Sequence, residues 1–136
     1  MSKRIVDVGS CGYDHGMLQR YFSSTFGSSI EQANHWQDLS CLREKGPIDL
    51  VLVNRLLDAD GSSGLEIVSR IVADGRFAGT ITMLVSNHES AQAEAIVRGA
   101  KRGFGKAILQ ETEVEILLAA VLRPCMQPIR YEESSL

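Results

Sequence analysis

The chain has 136 residues, of which 44% are apolar and 23% charged, with 14 Lys and Arg against 17 Asp and Glu for a net charge of −3. That is one domain's worth of ordinary globular composition, enough to bury a core without disulfides or a structural metal. The charge balance argues against a nucleic-acid binder, which needs a clustered basic excess, and no apolar run approaches the ~18 residues of a membrane span. The three cysteines, Cys11, Cys41 and Cys125, form no Cys-x-x-Cys pair. An odd, unpaired set argues against zinc and disulfide frameworks and for a reducing cytoplasm. Asp7 interrupts the first apolar stretch, which therefore does not read as a signal peptide.

In chain order, residues 5–8 predict a short strand broken by Gly9-Ser10-Cys11-Gly12. Asp14 is placed to cap a helix with Met17, Leu18, Tyr21 and Phe22 on one face, ended at Gly27. Residues 29–33 predict a weak strand, and Asn34 a cap for a helix carrying Trp36, Leu39 and Leu42. Residues 48–53 are almost continuously apolar, as in a central parallel strand buried on both faces. After a loop over 57–63, Ser63 and Glu66 read as a capping box for a helix with Leu65, Val68 and Val72 inward. A buried strand over 80–85, an alanine-rich helix over 89–98 and a short strand over 103–108 follow. Thr112 and Glu115 read as a second capping box, opening a helix with Val114, Leu117, Leu118 and Val121 at the i, i+3, i+4, i+7 spacing. Pro124 ends it, leaving a domain over 1–123 and a polar tail over 124–136.

Five alternating strand–helix pairs predict an α/β fold: a doubly wound five-stranded parallel sheet, strand order 2-1-3-4-5, between two helical layers. Chemistry in such sheets sits at the carboxyl ends of the strands, here Gly9 to Gly12, Asn54 to Leu56, Ser86-Asn87 and Lys106-Ala107.

Over roughly residues 3–122 this pattern resembles the receiver domain of two-component response regulators. Asp49-Leu50-Val51-Leu52-Val53-Asn54 followed by Gly64-Leu65-Glu66 is similar to the family's D-L-V-L-x-D and G-L-E segments. Ile81 to Ser86, Gly99-Ala100 and Gly103-Phe104-Gly105-Lys106 are similar to its later strand ends. The resemblance implies a phospho-acceptor aspartate at 54, an acidic Mg²⁺-holding pair at 9 and 10, a Ser/Thr at 86, a Lys at 106 and a switch aromatic at 103. Ser86 and Lys106 match. Asn54 is an amide, Gly9 and Ser10 carry no carboxylate, and Gly103 has no ring. An amide is a poor nucleophile toward phosphorus, and Mg²⁺ needs oxygen ligands that usually include a carboxylate. The expectation is therefore no Mg²⁺ site, no cofactor and no phosphorylation; carboxylates restored at 9, 10 and 54 together would recover some transfer if the first loop admits a side chain at 9.

Read without the resemblance, Asn54 is a tether for the loop after it, and Lys106 is expected within hydrogen-bonding reach of Asn54 or Ser86, directly or through water. Asp7, inside a strand, needs a partner or a place near the strand's end. The Gly9–Gly12 loop reads first as a tight turn. Asp58-Ala59-Asp60-Gly61 lacks ligands at the first and last positions of a calcium loop and reads as a solvated turn. His15, His35 and His88 fall on separate elements, and Cys11 reads as a buried thiol ahead of one activated by the following helix.

The sequence thus predicts a cytoplasmic, non-enzymatic, stand-alone degenerate receiver that binds a protein partner or itself, with no nucleic-acid or membrane role. The resemblance places its docking face on Gln92, Glu94, Arg98, Lys101, Arg102 and Glu113. The alternative is an anion- or small-ligand-binding α/β domain using the Gly9–Gly12 loop with Ser86 and Lys106.

Overall fold

The computed structural model describes residues 3–122; the expected boundary at 123 and the tail over 124–136 lie outside them. Five strands, β1 (Ile5–Val8), β2 (Ile30–Ala33), β3 (Leu50–Asn54), β4 (Ile81–Val85) and β5 (Lys101–Phe104), alternate with α1 (Gly12–Phe26), α2 (Trp36–Glu44), α3 (Gly64–Ala73), α4 (Glu89–Val97) and α5 (Thr112–Leu122). The sheet is parallel throughout, in the order β2-β1-β3-β4-β5. Val8 pairs with both Ala33 and Val53, so the carboxyl ends of the three strands on this side of the sheet lie level.

Alternation along the strands builds two cores. Val6, Val8, Val51, Val53 and Leu84 face Leu39, Ile67, Val68, Ile71 and Ala95 of α2, α3 and α4. Ile5, Leu50, Leu52, Met83, Val85 and Phe104 face Leu18, Phe22, Val114 and Leu118 of α1 and α5. Each fully buried Leu, Ile or Phe contributes roughly 1.5–3 kcal/mol.

Several element ends differ from the sequence reading. α1 starts at Gly12, and Cys11 is its cap: Cys11 Sγ accepts the Asp14 N–H at 3.5 Å, so Asp14 lies inside the first turn. α2 is preceded by His35, and the Asn34 N–H donates to Asp38 Oδ2. Ser63 does cap α3, its Oγ accepting the Leu65 N–H at 3.2 Å, while the Glu66 carboxylate pairs with Arg98 instead of closing the box. Val72 is exposed rather than inward. Thr112 is the first residue of α5 rather than its cap. β5 begins at Lys101, two residues early, and 106–108 form a 3₁₀ turn. The exposed Lys101 and Arg102 gave that edge strand no apolar signature.

Candidate functional site

Three of the expected residues converge at the carboxyl edge. Asn54, Ser86 and Lys106 line one open cleft of about 220 Å³ together with Arg55, Leu56, Val85, Asn87 and His88. Asn54 Nδ2 donates to the Leu56 carbonyl at 2.8 Å, the tether to the following loop. Ser86 Oγ accepts the His88 N–H at 3.0 Å at the entrance to α4. Lys106 Nζ makes no direct hydrogen bond to Asn54 or Ser86, although the three share the cleft; it donates to Asp14 Oδ2 at 2.7 Å. A carboxylate is a stronger acceptor for an ammonium than an amide or a hydroxyl, and starting α1 at Gly12 puts one in reach. A larger groove of about 850 Å³ along α1, by Gly16, Arg20, Ser24 and Ser28, contains none of these residues.

Gly9 and Ser10 are not part of the cleft lining. Gly9 has φ +91°, its N–H donates to the Ala33 carbonyl, and its own carbonyl accepts the Asp58 N–H. A Cβ there would lie 2.4 Å from Leu57 Cδ2. A side chain at 9 would therefore be strained by the positive φ and would have to displace Leu57, so the condition set for rebuilding a metal site with an acid there is an unfavourable one. Ser10 is buried and turned inward: its hydroxyl donates to Asp7 Oδ1 at 2.8 Å, and its carbonyl accepts Gln32 Nε2 at 3.0 Å.

The partner that Asp7 needs is supplied twice. The side chain is fully buried, and its second oxygen meets His15 Nδ1 at 3.0 Å. Burial pushes the Asp7 carboxyl above the usual carboxylate range, against the opposing pull of the Ser10 and His15 hydrogen bonds and the charges of His15 and Lys106. The first turn of α1 is thus pinned to the sheet edge by two consecutive residues, Asp14 to Lys106 and His15 to Asp7. Sequence reasoning missed the first link. The second had a signal, an acid in a strand followed eight residues later by a histidine in the next helix.

These residues do not fit a divalent cation of the receiver type. Asn54 offers an amide, Gly9 nothing and Ser10 a hydroxyl already given to Asp7, while Asp7 and Asp14 are bound to His15 and Lys106. Among the described residues no group of three or more His, Cys, Asp and Glu side chains is arranged to hold a metal ion.

The expected docking face divides. Lys101 and Glu113 are exposed. Glu94 and Arg98 pair at 3.0 Å, Arg98 also reaches Glu66 at 3.2 Å, and Arg102 pairs with Glu89. Gln92 is not on that face: it is 3% exposed and turned into the sheet, where β5 needs its amide. Gly103 faces the Leu84 carbonyl so closely that a Cβ would lie 2.1 Å from the oxygen, and Phe104 packs into the core under α1 and α5.

No family model matches the sequence, and no curated protein matches it significantly. Solved structures do match. The chemotaxis protein CheY4 of Vibrio cholerae superposes with a TM-score of 0.73 at 16% identity, covering 90% of this chain and 100% of that one. The signal receiver domain of a DNA-binding response regulator from Colwellia psychrerythraea gives 0.71 at 21% identity, over 87% and 96%. A Burkholderia pseudomallei response regulator, whose structure carries a phosphorylated aspartic acid, a calcium ion and citrate, gives 0.68 at 18% identity. The match to it covers 88% of this chain and 66% of that protein. At these identities the likeness is one of fold: the chain has the five-stranded receiver fold. No helix among the described residues is long and apolar enough to cross a membrane.

Proposed function

We propose that this chain is a degenerate receiver that acts in bacterial signal transduction by binding another protein, or a second copy of itself, without aspartyl phosphorylation. The observation that carries the reading is the state of the cleft. At the end of β3, where the resemblance calls for a nucleophilic carboxylate, stands the Asn54 amide, bound to its own loop at Leu56. The one lysine of the cleft is already neutralised by Asp14. An amide does not form an acyl phosphate, and nothing at 9 or 10 supplies the charge that a metal would need. The protein is on this reading cytoplasmic and not an enzyme. Its contacts are made by the outer surface of α4, β5 and α5, around Glu94, Lys101 and Glu113, with Arg98 and Arg102 entering as parts of ion pairs.

The test is incubation with acetyl phosphate and Mg²⁺ followed by intact-mass measurement. The expected result is no added phosphoryl group. Robust labelling of the unmodified protein at any cleft residue overturns the proposal.

A further inference from the structure

β5 carries one residue more than its partner strand matches. Met83 pairs with Lys101 and Val85 with Phe104, so an interval of two residues on β4 faces an interval of three on β5. Such a bulge leaves a backbone group outside the ladder, and a buried backbone group must find another partner. Here the Gly103 N–H donates to Gln92 Oε1, from α4, at 2.9 Å. The same amide donates through Nε2 to the Leu84 carbonyl at 2.9 Å and to the Ser86 carbonyl at 3.1 Å. Gln92 thereby uses both kinds of hydrogen-bonding group it has, while 3% exposed. The missing side chain at 103 belongs to the same device. Only a residue without Cβ lets the β5 backbone come this close to the Leu84 carbonyl.

We infer that Gln92 is a positioning residue, a buried bolt that holds α4 and β5 in one fixed relation to the carboxyl edge of β4. Ser86 lines the cleft, its hydroxyl holds the His88 N–H at the start of α4, and its carbonyl is held by Gln92. Moving the start of α4 away from β5 would take their side-chain partner from the Gly103 N–H and the Ser86 carbonyl, and native structures avoid leaving such groups unpaired. The outer surface of α4, with Val97 82% exposed, is then presented in a single arrangement set by the sheet backbone and not by what occupies the cleft. This holds whether or not a partner docks there, so it stands apart from the functional proposal.

Residue-resolved amide exchange tests it. Gln92→Met keeps the side-chain length and removes its amide. It is expected to speed exchange at Gly103 and across α4 by about tenfold or more relative to β1 and β3 amides in the same sample. Gly103→Ala, which drives a Cβ into the Leu84 carbonyl, is expected to give the same local pattern. Equal acceleration everywhere means that Gln92 contributes only to global stability, and it overturns the inference. Should neither variant fold, the unmodified protein decides. Its Gly103 amide must be strongly protected, exchanging no faster than the β3 and β4 amides of the same sample. An unprotected Gly103 amide overturns the bolt.

Discussion

Replacing Asp7 by Asn removes a buried charge while leaving its hydrogen bonds in place. The two side chains have the same shape. Oδ1 still accepts the Ser10 hydroxyl, and the new NH₂ donates to His15 Nδ1 with the ring proton moved to Nε2. Burial holds the native Asp7 carboxyl above its unfolded value of 3.8. The folded protein therefore binds this proton more tightly than the unfolded chain, and stability falls as pH rises from 3.8 through the folded value. Above that window the ionised group is a net burden, despite Ser10, His15 and the Lys106 charge. The Asn variant is expected to be the more stable at neutral pH, by on the order of 1 kcal/mol, the usual scale of a single substitution. For a chain of this size that is roughly 3–4 °C in Tm. The gap should close as pH falls toward 3.8 and below, where Asp7 is neutral in both states. Urea unfolding followed by the fluorescence of Trp36, the single tryptophan, measures it. Because His15 is itself ionisable, the comparison is repeated in a His15→Gln background. An Asn variant less stable at neutral pH by about 1 kcal/mol or more would mean that the ion pair outweighs burial, and the reasoning fails.

Asn54→Asp should acquire little phosphoryl group from acetyl phosphate and Mg²⁺. Loss of the metal contribution is several kcal/mol at about tenfold in rate per ~1.4 kcal/mol, and strong labelling by mass spectrometry would show that Asp7 or Asp14 leaves its partner to hold the ion. Gly9→Asp should destabilise by about 2–3 kcal/mol in urea rather than assist, since an L side chain there has both a positive φ and Leu57 in its way. Gly64→Ala should lower the urea midpoint by the equivalent of about 2–4 kcal/mol, because its Cβ would lie 1.9 Å from the Asn54 carbonyl oxygen; an unchanged midpoint refutes that packing. Lys106→Met should cost only about 1 kcal/mol or less, because Lys106 and Asp14 are 20% and 31% exposed, and the loss should shrink in high salt.

The fold was legible because its signal is local. Leu50 to Val53 reads as a central strand wherever it is met, and the spacing of Val114, Leu117, Leu118 and Val121 leaves one apolar helical face. Asn54, Ser86 and Lys106 were found for the same reason, since each lies at the end of a strand that the pattern had located. What the pattern did not reveal is how polar groups choose partners across the sheet. Lys106 and Asp14 are 92 residues apart, and their pairing depends on α1 starting at Gly12 rather than at the residue with the strongest capping preference. Gln92 sits in a helix with alanines on either side, where an amide looks like surface; only the extra residue in β5, invisible in a strand that begins with Lys101 and Arg102, gives it a buried task. Gly103 stands where the resemblance calls for an aromatic, yet its lack of a Cβ is what the β4–β5 contact requires. Each of these residues is bound to, or packed against, another group of the same chain. Here Lys106, Gln92 and Ser10 all have acceptors, so the polar groups of this edge are matched within the chain itself.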